Sequence, residues 1–99
     1  WVLTTWSDDE CKKILENCQK ALPEKGKVIA CEPVVPENTD NSERTRALLA
    51  GDIFVMATYS AKGKHRTESE YRNIGVAAGF TNFRALYVDH FYTLLEFIK

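Results

Sequence analysis

A chain of 99 residues has room for one hydrophobic core or part of one, since domains commonly run to roughly 100–150 residues. With 44% hydrophobic and 27% charged residues it has the composition of a folded globular protein, which excludes a disordered chain. A formal net charge of -1, with acids and bases interspersed, offers no basic field for counterion release and argues against nucleic acid and anionic membranes as partners.

No apolar run approaches the roughly 20 residues that a bilayer span needs, and no charged-then-apolar signal segment opens the chain. A cytoplasmic location is the expectation. Cys11, Cys18 and Cys31 are odd in number and lack metal-ligand spacing, which argues for reduced core thiols over a disulfide framework or a zinc site. The chain begins with Trp1 inside a structured motif instead of with methionine, and is expected to be a fragment whose upstream sequence is missing.

The first residues, Trp1 to Trp6, read as a strand end running into a helix. Ser7 is a good N-cap, Glu10 completes a capping box, and Asp8 and Asp9 place negative charge at the positive end of the helix dipole. Cys11, Ile14, Leu15, Cys18, Ala21 and Leu22 recur at helical spacing, and Pro23 and Gly26 close the helix. Lys27 to Glu32 follows as a short apolar run, expected to be a strand buried on both faces. Pro33, Pro36 and the polar stretch 37–42 read as a surface loop, because proline cannot donate to a ladder.

From Glu43 or Arg44 to about Thr58 the pattern is helical with apolar residues on several sides, which predicts a largely buried helix. Ser60 to Arg66 reads as a solvated basic loop carrying Lys62, Lys64 and Arg66. Thr67 with Glu70 makes a second capping box for a helix reaching Ala78 and ended by Gly79. Phe83–Val88 and Phe91–Ile98 are β-like runs that Asp89-His90 would turn into an antiparallel hairpin, and His90 is given no further role. No internal repeat or domain boundary interrupts this order, so the fold class is α/β, with the look of the second half of a doubly wound sheet.

Trp1-Val2-Leu3-Thr4-Thr5-Trp6-Ser7-Asp8-Asp9-Glu10 resembles the catalytic segment of plant small-molecule methyltransferases, in which an aromatic and two apolar residues precede His-Asp-Trp-Ser-Asp-Glu. Ala21-Leu22-Pro23 with Gly26-Lys27-Val28-Ile29 resembles the helix-to-strand junction of that family. Gly63-Lys64-His65-Arg66-Thr67 resembles its Gly-Lys-Glu-Arg-Thr loop, and Ala78-Gly79-Phe80 and Leu95-Glu96-Phe97 also fit. Essentially all 99 positions thus resemble the C-terminal segment of the caffeic-acid-type O-methyltransferase family, which uses S-adenosylmethionine.

The resemblance implies that residues 1–99 are the C-terminal part of one Rossmann-like methyltransferase domain, with a mostly parallel sheet ending in an antiparallel hairpin. It places the Gly-rich loop and the acidic residue that hold the cofactor upstream of Trp1, together with an N-terminal domain through which family members form homodimers. The isolated chain is therefore expected to be inactive. By position, Thr4 occupies the place of the family's catalytic histidine, Glu32 that of a carboxylate orienting it, and His65 that of a second flanking carboxylate. Val55, Met56 and Tyr59 would wall the pocket of a small aromatic acceptor, and Trp6 would pack near the cofactor's adenine.

A phenol with a pKa of about 10 needs a positioned base, which a threonine hydroxyl cannot supply. The Thr-Thr-Trp opening, Cys31-Glu32-Pro33 and the Gly-Lys-His-Arg-Thr loop resemble the branch of the family that methylates the ring nitrogen of nicotinate to give trigonelline. A pyridine nitrogen carries a free lone pair near neutral pH and needs only in-line placement. His65 in place of a carboxylate removes a repulsion from the acceptor's own carboxylate and supplies a donor, with hydroxyls from Thr4 and Tyr59. Two alternatives stand beside this one: O-methylation of a phenolic such as caffeic acid, with Glu32 or water as base, and a non-catalytic family member.

Overall fold

The computed structural model describes residues 1–37, 42–58, 63–89 and 91–99. After a 3-10 turn at Leu3–Thr5 come α1 (Asp8–Ala21), β1 (Lys27–Val35), α2 (Glu43–Thr58), β2 (Arg66–Thr67), α3 (Glu68–Ala77), β3 (Asn82–Tyr87) and β4 (Tyr92–Ile98). The four strands form one mixed sheet in the order β2-β1-β4-β3. The parallel pairing is confined to Val34↔Arg66 and Val35↔Thr67, whereas β1 with β4, and β3 with β4, pair antiparallel along most of their lengths. Among the described residues no helix is long and apolar enough to cross a membrane.

Both capping boxes form. Glu10 N–H donates to Ser7 Oγ at 3.3 Å while Ser7 N–H reaches Glu10 Oε1, and Thr67 and Glu70 repeat the exchange at the start of α3. Each box satisfies two donors that a helix N-terminus leaves without intrahelical partners. At the other end of α3, Gly79 takes φ 102, a left-handed conformation open to glycine at no steric cost.

Alternation along the strands decides where the core sits. Val28, Ala30 and Val34 of β1, Leu95 and Phe97 of β4, and Phe83 and Ala85 of β3 share one face, and α1 and α3 close over it with Cys11, Leu15 and Tyr71. Phe97 is central: its ring centroid lies 5.2 Å from that of Phe83 and 5.7 Å from that of Phe80. The other face carries Ile29 and Cys31, both exposed, beside a cross-strand ion-pair set in which Glu96 accepts from Lys27 and Arg84.

Several expectations change. From Lys27 to Cys31 strand β1 is buried on one face only, because no described element covers Ile29 and Cys31, whereas Glu32, Pro33 and Val34 are all buried; Cys31 is correspondingly not a core thiol. It also runs through Pro33 to Val35. Pro33 lies where the strand leaves its register with β4 and takes up β2, the point at which a missing ladder donor is least felt. The opening residues form a 3-10 turn and no strand, since their N–H groups find a carboxylate instead of a ladder. Helix α2 buries Thr45, Leu48 and Val55, while Leu49, Ile53, Phe54 and Met56 stay exposed. Its apolar residues surround the axis, so a single packed side cannot cover them.

A Cβ added at Gly75 would lie 2.6 Å from Phe97 Cδ1, which sets the closeness of α3 to β4. Gly75→Ala gains about 1 kcal/mol of helix propensity. Overpacking a filled core costs about 1–3 kcal/mol. The expected result is a lower unfolding temperature in a thermal melt, and an unchanged or raised one contradicts this packing.

Candidate active site

Glu32 is the organising residue. It sits on the core face of β1 at 1% exposure and turns its carboxylate to the opening turn. Oε1 accepts from Val2 N–H at 2.9 Å and Leu3 N–H at 2.7 Å. Oε2 accepts the Thr4 hydroxyl at 2.8 Å and lies 3.4 Å from Thr4 N. A buried carboxylate is tolerated only when its oxygens are so partnered, and here the first amides of a 3-10 turn supply the donors.

The carbonyl side of the turn belongs to Arg66. Fully buried at the start of β2, its guanidinium donates to Leu3 O, Trp6 O and Asp8 Oδ1, each at 2.8 Å. Burial alone would lower its pKa, but the bond to Asp8 and the negative charge that Cys11, Tyr71 and Asp8 can carry together outweigh it and hold the group above its ordinary value. The solvated basic loop expected from sequence is therefore wrong for Arg66: Lys64 is half exposed toward Asp8 and Glu70, Arg66 is core, and Lys62 lies outside the described residues. Cys11 Sγ adds a donor to Leu3 O at 3.1 Å, and burial pushes its thiol up to about 11.

Thr4 is wholly buried, and its hydroxyl is already engaged. It donates to Glu32 and lies 3.3 Å from the hydroxyl of Tyr71, a fully buried residue of α3. Burial, with help from the Glu32 charge, pushes the Tyr71 phenol well above its usual range, so it serves as a hydrogen-bonding hydroxyl and not as a base at neutral pH.

His65 is reached through the backbone: Lys64 N–H donates to Thr4 O at 2.8 Å, and His65 follows directly. The ring is 5% exposed. Its backbone N–H donates to Asp52 Oδ1 at 2.8 Å, and Nδ1 lies 3.0 Å from Leu48 O, both on α2. A carbonyl can only accept, so Nδ1 carries the proton and Nε2 of the neutral ring is an acceptor. Nε2 has no hydrogen-bond partner among the described residues. Trp1 and Phe91 meet the ring edge-on, at centroid distances of 5.9 and 5.7 Å, and stack on each other. Burial lowers the His65 pKa, outweighing the opposing pull of Asp52, the Leu48 bond and Glu32.

Thr4 and Glu32 are thus in direct contact, and His65 stands beside them along the loop. Val55 is buried on α2, Met56 is exposed on the same helix, and Tyr59 and His90 lie outside the described residues. Trp6 is partly exposed and lines a surface depression with Glu10, Lys13 and Ile14. Among the described residues no cluster of His, Cys, Asp and Glu could hold a metal ion. Sequence reasoning missed Tyr71, the burial of Arg66, and Phe91. The helical spacing of Tyr71 with Ile74 was an available signal; nothing local marked the other two.

The family model of the O-methyltransferase domain matches residues 1–81. The whole chain is 69% identical to nicotinate N-methyltransferase 1 of Glycine max and 65% identical to the protein of that name from Arabidopsis thaliana, covering 28% of each. It is 40% identical to caffeic acid 3-O-methyltransferase of Zea mays, over 100% of the chain and 27% of that protein. The chain thus spans little more than a quarter of the length of these relatives. Among solved structures, PigF with SAH superposes at a TM-score of 0.79 with 26% identity over 100% of this chain and 28% of that one. Human N-acetylserotonin methyltransferase in complex with SAM superposes at 0.80 with 20% identity over 97% of this chain and 27% of that one.

Two measurements probe the network. Arg66→Met strips the guanidinium donors from Leu3 O and Trp6 O, leaving the Cys11 thiol and, for Leu3 O, the Trp6 N–H as their remaining donors, at an expected cost of about 1–3 kcal/mol. Arg66→Lys is expected to fall between this variant and the parent in denaturant unfolding, because an ammonium cannot fork to three fixed partners. Folding lowers the His65 pKa from its ordinary 6.5, so the unfolded chain binds the extra proton at mildly acid pH. The His65 contribution is complete above pH 6.5 and is lost as pH falls through the folded value. Unfolding followed across that range should show a slope that His65→Gln flattens. The segments that the hydrogen bonds of this network join, from Val2 to Tyr71, all fall within the matched residues 1–81, and the chain belongs to the O-methyltransferase domain family.

Proposed function

We propose that the protein carrying this chain is an S-adenosylmethionine-dependent methyltransferase that methylates the ring nitrogen of nicotinate, giving trigonelline. The observation that carries this is the Thr4 hydroxyl, fully buried and 2.8 Å from Glu32 Oε2, at the place of the family's base. A hydroxyl that already donates to a carboxylate cannot take up a phenolic proton. A pyridine nitrogen makes no such demand, and its reaction is governed by orientation. Identity supports the same reading: 65–69% to nicotinate N-methyltransferases against 37–40% to relatives named for caffeic acid, esculetin or (iso)eugenol O-methylation.

S-adenosylmethionine, when bound, supplies an electrophilic methyl group. In this chain the partly exposed indole of Trp6 beside the apolar Ile14 fits an adenine plane. Glu32, Thr4 and Tyr71 hold the turn that leads into Trp6, and His65 offers its Nε2 to the acceptor. Val55, Met56 and Tyr59 belong to the acceptor wall in this reading. Residues 1–99 would form the C-terminal part of one Rossmann-like catalytic domain in a cytoplasmic homodimer.

One feature favours a second reading. The Nε2 of neutral His65, without a partner among the described residues, is itself a lone pair, able to act as the base for a phenol such as caffeate. Assays of the full-length protein with nicotinate and caffeate side by side decide between them. The expected result is a kcat/KM for nicotinate at least about a hundredfold higher, equivalent to about 2.7 kcal/mol. Preference for caffeate sinks the nitrogen reading, and tight cofactor binding without turnover of either would mark a non-catalytic member.

A further inference from the structure

The ring of His65 is fixed from several directions. Leu48 O holds Nδ1, the backbone N–H is tied to Asp52, and Trp1 and Phe91 meet the ring edge-on. A Cβ at Gly51 would come within 2.7 Å of His65 Cε1 and 3.1 Å of Phe91 Cζ, so α2 closes on the ring to the limit that only glycine allows. A histidine packed this tightly cannot turn over to present its other nitrogen. Nδ1 keeps its proton on the carbonyl, and Nε2 is left as a buried acceptor without a donor among the described residues.

A carboxylate has no proton to give such an atom. A neutral ring in this tautomer would set lone pair against lone pair. Bound as an ion pair, by contrast, the two groups make a charge-assisted bond, with Nδ1–H still on Leu48 O. We infer that His65 takes up one proton from solvent as the acceptor's carboxylate docks, so that recognition of an anionic aromatic acid is proton-coupled. The inference rests on the nitrogen-methylation reading above and adds to it the ionisation of the site.

The charged groups around the ring agree with such a poised state. Glu32 on β1 and Asp52 on α2 both favour the imidazolium, yet burial outweighs them in the free site. Asp89, on the connection that carries Phe91, accepts from Phe91 N–H and Tyr92 N–H. Of the flanking cations, Lys64 extends to Asp8 and Glu70, and Arg66 is held by Asp8, Leu3 and Trp6, so neither is turned to the ring. The acceptor carboxylate adds a further negative charge, now in direct contact, and tips the balance to the cation. The proton sits on Nε2 while the acceptor is bound and returns to solvent when the zwitterionic product leaves.

Calorimetry on the full-length protein with S-adenosylhomocysteine bound, in buffers of different ionisation enthalpy, reads this directly. Nicotinate binding near pH 7.5 should draw close to one proton from the buffer. Its affinity should weaken by up to about tenfold per pH unit as pH rises. Nicotinamide, which lacks the carboxylate, should draw none. His65→Gln should bind nicotinate with flat pH dependence and no proton uptake, and His65→Asn, which keeps a donor for Leu48 O, serves if the glutamine variant does not fold. Wild-type binding of nicotinate without buffer-dependent heat, or undiminished proton uptake in the His65 variants, overturns the inference while leaving the function intact. Failure of nicotinate to bind at all overturns both.

Discussion

The structure depends on a turn held from two sides by opposite charges. Glu32 takes the N–H groups of Val2 and Leu3, and Arg66 gives to the carbonyls of Leu3 and Trp6. Neither charge is exposed and the two belong to neighbouring strands, so the hold on the turn is coupled to the pairing of β1 with β2. The parallel pair is two residues long, too short to be stable by itself, and the polar network supplies what the ladder lacks. A network of this kind is strong when complete and costly when broken, because any orphaned member stays in a low-dielectric interior.

That dual hold has a chemical consequence. The hydroxyl of Thr4 completes the coordination of Glu32 and meets Tyr71, so the position implied for a base is converted into part of the scaffold. The carboxylate that would orient a histidine orients a backbone turn instead. An acceptor whose nucleophile is already deprotonated loses nothing by this exchange. For an acceptor that must shed a proton, the Nε2 of His65 is an unpartnered lone pair among the described residues of this neighbourhood.

The sequence was legible where local rules decide. Ser7 with Glu10 and Thr67 with Glu70 announced both helix starts, and the alternation before and after Asp89 announced the hairpin. It was less legible where distant segments meet. Arg66, between a loop and a capped helix, has the neighbours of a surface residue, and only the turn some sixty positions earlier makes it core. His65 has the same surface-like neighbours, and only the resemblance marks it as a site residue. The apolar surround of α2 was read as burial, but such a surround states only that the helix has several sides needing cover, and in this chain one is covered. The resemblance to known methyltransferases supplied the positions of Thr4, Glu32 and His65; geometry then gave each a different environment from the one its position implied.

The exchange of carboxylate for histidine at position 65 follows from the charges already present. Glu32 and Asp52 both act on that site, and a carboxylate buried there would face two like charges before any acid arrived. A histidine avoids the repulsion by staying neutral, and its neutrality is enforced by the same burial that excludes water from the ring. Glycine at 51 lets α2 approach closely enough to produce that burial, and Leu48 O decides which nitrogen keeps the proton. Two features of one helix, a missing side chain and a backbone carbonyl, thereby set the protonation state of a residue on another segment. In the proposed reading, selectivity for an anionic ring need not come from a fixed positive charge, since a fixed cation would be drawn permanently to Glu32 and Asp52; a ring that became charged only on contact would keep its one open valence for the acceptor.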